Sequence, residues 1–197
     1  MKHKLSTILL CACCLLSCNT TKFVPQGQLL LNDVKVKVED NKNIPPSDLM
    51  KYVQQKPNTE ILGFWKLQLD IYNTASEDTT KWTSKNARKI GEPPVIFSSE
   101  LTDASQAQLQ RAMQNKGYFN AEIDTTVAVK KRKINLVYHV TANEPYMIGQ
   151  YNVELEHNEL AVIANNQRRL ITGGSQFDAE VLNQERQRVA SAMRRRG

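Results

Sequence analysis

The stretch that decides the fold is LQRAMQNKGYFNAEIDTTVAVKKRKINLVYHV, residues 109–140. Its first part carries Leu109, Ala112 and Met113 at helical spacing and stops at Gly117, a pattern typical of the end of an amphipathic helix. Its second part contains two runs in which apolar and polar residues alternate, separated by a basic turn. This pattern predicts two paired strands directly after the helix.

The helix is expected to begin at a capping box, with Asp103 as the cap and Gln106 three residues later. The two strands are expected at residues 121–129 and 134–140. The turn between them holds four basic residues, Lys130, Lys131, Arg132 and Lys133.

Upstream, residues 29–38 begin apolar and then alternate, which predicts a half-buried strand. Ser47 or Asp48 can cap a helix that carries Leu49 and Val53. Residues 61–72 have mixed spacing and could form another helix, whereas residues 74–89 are polar and charged, and residues 95–97 are a short apolar run. The resulting order, β-α-α-β-β, predicts an α+β fold.

A second copy of this pattern is expected to begin at residue 148. Tyr151, Val153 and Leu155 suit a strand, and residues 160–170 and 178–196 suit two helices. Ala112-Met113, three residues and Gly117 recur 80 positions later as Ala192-Met193, three residues and Gly197. We therefore expect a module with an insertion at 29–147 and an incomplete second module at 148–197, as in a fragment of a longer protein.

The N-terminus reads as a lipoprotein signal. Lys2 and Lys4 precede an apolar run at residues 5–16, and Ser17-Cys18 resembles the cleavage site at which bacterial lipoproteins are acylated. We predict a signal peptide at 1–17, a lipid on the Cys18 thiol and a tether at 18–28. Asn19 favours sorting to the outer membrane. An ordinary, unlipidated signal peptide is the alternative interpretation.

The sequence contains no constellation typical of an active site. All four cysteines lie within the first 18 residues, and only His139 and His157 remain after cleavage. We therefore predict a protein that is not an enzyme and has no metal, cofactor or small-molecule substrate. The net charge of +6 is too small to indicate nucleic acid.

Three features invite a surface interpretation. The basic turn at Lys130–Lys133 is a candidate contact for anionic lipid or a partner, with a solvated turn as the alternative. Phe64 and Trp65 could mark an exposed patch, but core packing is the favoured interpretation. His139 falls on the polar side of its strand, which favours local hydrogen bonding over catalysis.

Several segments resemble a known family. Residues 115–121 and 144–149 resemble the end of the second helix and the intermodule link of POTRA domains, which precede the barrel in the BamA and TamA outer-membrane assembly family. Residues 52–58 and 91–94 resemble the lipidated, TamA-like members of Bacteroidetes. The resemblance covers most of residues 18–197.

This resemblance implies the periplasmic POTRA portion of a lipid-anchored outer-membrane protein. Its expected partners are unfolded outer-membrane or secreted protein precursors and components of the assembly machinery, not nucleic acid. The edge strands near residues 29–38 and 121–129 would bind clients by strand addition. The alternative is a stand-alone periplasmic lipoprotein scaffold that binds another envelope protein. A lipid-anchored enzyme is disfavoured.

Overall fold

A computed structural model describes residues 20–152 and 169–195. Within these residues the protein is α+β, with one three-stranded sheet and five helices. The strands are β1 (Leu30–Val38), β2 (Glu122–Lys130) and β3 (Lys133–Thr141), in the order β1-β3-β2. The helices are α1 (Pro46–Met50), α2 (Leu67–Asn73), α3 (Trp82–Ile90), α4 (Ser99–Asn115) and α5 (Ala179–Arg194).

Several predictions concern residues outside this description. The signal peptide and Cys18 lie there, as do Val153 and Leu155 of the predicted strand and residues 160–168 of the predicted helix. The predicted helix at 178–196 is observed as α5, and Asp178 caps it by accepting hydrogen bonds from the Glu180 and Val181 N–H groups.

The described residues divide into two compact units. The first unit comprises residues 20–34, 55–98 and 127–136, and the second comprises 35–54, 99–126, 137–152 and 169–195. Each of the three strands contributes residues to both units.

The predicted hairpin is confirmed. Lys131 and Arg132 have φ values of 48° and 60°, the left-handed backbone that a two-residue hairpin turn requires. On β3 the predicted apolar face is buried throughout, at Ile134, Leu136, Tyr138 and Val140. On β2, Ile123 is buried, but Val127 and Val129 are 45% and 58% exposed. Alternation therefore predicted which side chains share a face, but not how much of that face is covered.

Helix α4 begins at Ser99, so the predicted capping box is wrong. Asp103 lies inside the helix, and Gln106 Nε2 donates to the Ile123 carbonyl at 2.5 Å. Glu100 lies in the first turn, where an acidic side chain is favoured by the helix dipole. Its predicted apolar stripe, Leu109, Ala112 and Met113, is buried.

Helix α1 is shorter than predicted and is not capped by Ser47 or Asp48. Its N-cap is Pro45, without a side-chain hydrogen bond, and Pro46 occupies the first turn, where the missing N–H costs nothing. The helical pattern ends at Met50, yet Leu49 and Val53 are buried as expected.

The insertion between α1 and α4 forms part of the first unit. Leu69 of α2 is buried together with Val24 and Leu30, and Ile96 packs against them. The predicted helix at 61–72 is correct only from Leu67, because Ile61 and Trp65 instead pair as a tight loop. Helix α3 arises in a stretch for which the sequence predicted no helix.

Candidate functional site

The first half of β1 is covered at its outer edge. Leu31 N–H donates to the Val95 carbonyl at 2.8 Å, and Phe97 N–H donates to the Leu29 carbonyl at 2.9 Å. Leu30 and Ile96 form the antiparallel bridge between them. The short apolar run at 95–97 therefore occupies this edge, so a client strand cannot pair there without displacing it.

The second candidate edge, on β2, has no further strand beside it within the described residues. Strand β2 is at the margin of the sheet, and β3 is its one strand neighbour within the described residues. All residues of β2 except Ile123 are exposed. The outer side of β2, which we call the β2 edge, is thus where the described sheet can accept another strand.

The hairpin register identifies which backbone groups face outward along the β2 edge. A two-residue turn makes Lys130 and Lys133 the hydrogen-bonded pair next to the turn. Since the pattern alternates, Thr125, Val127 and Val129 direct their N–H and C=O groups away from β3. These groups can pair with an incoming backbone whatever its sequence.

A groove lies beside the second half of β1 in the second unit. It has a volume of about 560 Å³. The lining residues come from β1, α1 and β3, and include Val36, Pro46, Met50 and Val137 with the stems of Lys35 and Lys37. The groove is a second place in this unit where apolar surface is open next to a strand.

His139 lies in a hydrogen-bonded chain across the sheet. Its Nδ1 is 2.6 Å from Glu39 Oε1, and its Nε2 is 3.1 Å from Thr126 Oγ1. Lys37 Nζ is 2.7 Å from Glu39, and hydrogen bonds from Lys37 and then His139 hold the Glu39 pKa below its ordinary value. The predicted local hydrogen bonding of His139 is confirmed.

The hydrogen-bonded series Thr126, His139 and Glu39 has the order hydroxyl, imidazole and carboxylate that nucleophilic enzymes use. Here the carboxylate is also paired with Lys37, and the members belong to β2, β3 and the end of β1. These hydrogen bonds therefore connect neighbouring strands. We propose that they stabilise the sheet and do not activate a nucleophile.

The four residues of the basic turn differ in their surroundings. Arg132 Nη2 donates to the Val24 carbonyl at 2.8 Å and to the Pro25 carbonyl at 2.7 Å. Lys133 is half-buried, whereas Lys130 and Lys131 are exposed. Arg132 is exposed as well, but it holds the N-terminal segment. Contact of the turn with an anionic surface stays a prediction, in which Lys130 and Lys131 are the exposed lysines.

The expected core packing of Phe64 and Trp65 is wrong. Phe64 is 77% exposed and Trp65 43%, and Leu62 beside them is 79% exposed. The apolar composition of residues 61–65 suggested burial, but two left-handed residues, Leu62 and Gly63, turn the chain at the tip of the loop. The side chains around this turn consequently point outward.

Residues 20–152 and 169–195 lack two features. No helix there has the length and apolar content to cross a membrane. No group of three or more His, Cys, Asp or Glu side chains in that part of the chain is arranged to hold a metal ion.

Comparison with known proteins gives a family match and a structural alignment. A family model described as POTRA, surface antigen variable number repeat, matches residues 34–143. A crystal structure of POTRA domains 3–5 of BamA from Haemophilus influenzae aligns with a TM-score of 0.30 and 9% sequence identity. The alignment covers 86% of this chain and 88% of that chain. A search of curated proteins found no match.

Proposed function

Since the chain belongs to the POTRA family, by the match over residues 34–143, we propose that it binds extended polypeptide segments at the β2 edge. It would act by binding and not by catalysis, as the periplasmic part of an outer-membrane assembly or translocation lipoprotein. Its clients would be precursors of β-barrel or secreted proteins, and other components of the assembly machinery would be its partners.

The observation that carries the proposal is the difference between the two edges. Residues 95–97 occupy the first half of the β1 edge, while the β2 edge offers the backbone groups of Thr125, Val127 and Val129. A strand that adds to a sheet edge gains main-chain hydrogen bonds independent of its sequence, which suits a protein with many different clients.

The side chains of β2 add a preference to this backbone recognition. Val127 and Val129 are about half exposed and lie on the same face of the sheet as Ile123. A client strand paired with β2 would place every second side chain beside them. Strands of outer-membrane barrels, which alternate apolar and polar residues, fit this face.

A proline at position 127 tests the proposal. Val127→Pro removes one outward N–H from an edge strand, where proline is tolerated, whereas Val127→Thr keeps the N–H and the β-branched shape. Binding of a fluorescein-labelled ten-residue peptide of alternating valine and threonine would be followed by anisotropy. We expect weaker binding for Val127→Pro and near-normal binding for Val127→Thr.

Two results would contradict strand addition. Equal loss in both variants would assign recognition to the valine side chain instead of the backbone. Unchanged binding in both would move the site away from the β2 edge. If no extended peptide binds but a folded envelope protein does, the protein is a scaffold, which is the alternative function.

We further propose that the protein is anchored to the outer membrane through an acylated Cys18, with residues 29–147 and 148–197 as two modules in the periplasm. The cleavage-site pattern at Ser17-Cys18 supports the anchor. Acyl chains on one terminus give stable attachment when two or more are present. Intact mass of the protein from its own membrane, compared with that of Cys18→Ser, tests this: we expect only the first to carry acyl chains.

A further inference from the structure

We propose that the loop formed by residues 61–65, which we call the apolar loop, inserts into the surface of the lipid bilayer that holds the protein's own anchor. This inference rests on the proposed acylation of Cys18. The occupant is the bilayer surface, and the loop acts as a second, non-covalent contact that fixes how the first unit lies on the membrane.

The shape of the apolar loop suits insertion. Ile61 N–H donates to the Trp65 carbonyl at 2.8 Å, and Trp65 N–H donates to the Ile61 carbonyl at 3.1 Å, so the base is closed. Between them Leu62 and Phe64 are almost four-fifths exposed. A narrow, convex apolar tip matches an acyl-chain surface, which can close around it from every side.

Neither burial nor backbone preference explains Leu62 at this position. Its φ of 57° is left-handed, a region that leucine rarely adopts, and with 79% of the residue exposed its side chain gains little packing on folding. Trp65 is an amphipathic companion, since its Nε1 donates to Asp70 Oδ2 at 3.0 Å while 43% of the residue is exposed. Tryptophan of this kind is typical of the membrane interface.

The described part of the N-terminal segment, which follows the proposed anchor, contacts the helix that follows this loop. Lys22 Nζ donates to the carbonyls of Asn73 and Ala75, at the end of α2, and the Phe23 ring packs edge-on against Tyr72 with centroids 5.5 Å apart. Cys18 precedes Lys22 by four residues, which span at most about 14 Å. Helix α2 is about 10 Å long, and the apolar loop precedes its other end. The lipid and the loop can therefore meet one bilayer surface.

The basic segment of the first unit, residues 127–136, also favours the bilayer surface as the binding partner of the apolar loop. Residues 127–136 contain four basic residues and no acidic one, and Lys130 and Lys131 are exposed. Such residues are attracted to anionic headgroups when an anchor holds them near the membrane. A protein partner would have to complement both this basic turn and a convex tip.

The tryptophans provide the test. The chain has two, so Trp82→Phe leaves Trp65 as the sole reporter. The full, acylated protein carrying this change would be reconstituted into vesicles of phosphatidylethanolamine and phosphatidylglycerol, with or without brominated acyl chains. We expect a blue shift of Trp65 emission on the vesicles and its loss through bromine quenching.

Matched variants separate the loop from other apolar surface. Leu62→Ser with Phe64→Ser should abolish the quenching, because the tip no longer enters the acyl region. Leu101→Ser with Met147→Ser, which replaces residues that are 42% and 56% exposed in the second unit, should leave it unchanged. Circular dichroism would establish that both double variants are folded.

The outcomes test the proposed acylation of Cys18 and the proposed insertion of the apolar loop separately. Protein that does not stay on vesicles and lacks acyl mass would refute the proposed anchor. Protein that stays on vesicles while Trp65 remains unshifted and unquenched would overturn the proposed insertion. A blue shift without bromine quenching would also overturn it, since the loop would then be buried against protein.

Discussion

Asp40 is a single side chain whose charge supports the turn after β3. Desolvation acts to raise its pKa, but the N–H groups of Ala142 and Asn143, each 2.8 Å from a carboxylate oxygen, outweigh this effect and the pKa is lowered. Because the pKa is lower in the folded chain, the stabilisation is complete above the ordinary value of 3.8 and disappears as the pH falls through the folded value.

Asp40→Asn tests this linkage. It should lower the free energy of unfolding by about 1 kcal/mol at pH 7, since hydrogen bonds to an exposed charged group are weaker than buried ones. Urea unfolding at pH 7, 5 and 3 should give a difference from the wild type that shrinks below pH 3.8. Asp124→Asn, the same charge change on β2, is the control. A pH-independent difference would contradict the assignment.

Arg132 is one of the residues that hold the N-terminal segment on the first unit. Arg132→Ala removes the donor to the Val24 and Pro25 carbonyls. We expect the local stability of the segment to fall by about 1.5 kcal/mol, which corresponds to roughly tenfold faster amide exchange. The amides to follow are Val24 and Gln28, which donate to carbonyls within this segment. Lys131→Ala should leave their exchange unchanged. Equal effects of the two variants would mean that charge, rather than the hydrogen bonds, holds the segment.

Among the secondary-structure elements, α4 is followed, two residues after its end, by a glycine that no other residue can replace without a shift. Gly117 has a φ of 90°, and an added Cβ would lie 2.5 Å from the Phe177 carbonyl oxygen. Gly27 has a φ of 76° with nothing within 4 Å of such a Cβ. At both positions an alanine would have to adopt a left-handed backbone, which costs about 1–2 kcal/mol. Only at Gly117 would its Cβ also clash with a neighbouring atom.

Gly117→Ala should therefore destabilise the protein more than Gly27→Ala. Chemical denaturation of the two variants measures the difference, which isolates the contact between the end of α4 and residue 177. If both lose the same stability, the backbone at residue 177 can move away without cost, and the end of α4 is less constrained than its geometry indicates.

The elements that the sequence predicted well are those with an apolar stripe on one side. Strand β3 and helix α4 bury every residue that their periodicity selected. Helix α3 was missed because its one buried residue is Ser84, whose Oγ accepts a hydrogen bond from Ser76 N–H. A helix whose buried residue is a serine lacks the buried apolar stripe from which α4 was predicted.

The candidate site was predicted only in part for a related reason. Alternation identified β1 and β2 as strands, but which edge is open depends on where residues 95–97 pair, a contact about 65 residues away along the chain. The exposure of Leu62 and Phe64 was likewise missed, because apolar composition alone does not distinguish a core residue from one displayed at a turn.

For the whole molecule, the insertion between α1 and α4 should be separable from the rest of the module. Its ends are joined: Asn58 Nδ2 donates to the Pro93 carbonyl at 2.8 Å, and Thr59 N–H donates to Glu92 at 2.9 Å. Residues 60–91 can therefore be replaced by two glycines without moving the flanking chain. The β1, α1, α4, β2 and β3 elements of the family match would all remain.

The excised variant should unfold cooperatively, with a lower free energy of unfolding. Loss of Leu69 uncovers Leu30 and Val24, at about 1.5–3 kcal/mol for each large apolar side chain returned to water. Both tryptophans leave with the segment, so urea unfolding has to be followed by circular dichroism. A broad, non-cooperative transition would make the insertion an integral part of the module's core. Cooperative unfolding with peptide binding retained at β2 would mean that the module can recognise its client without the apolar loop.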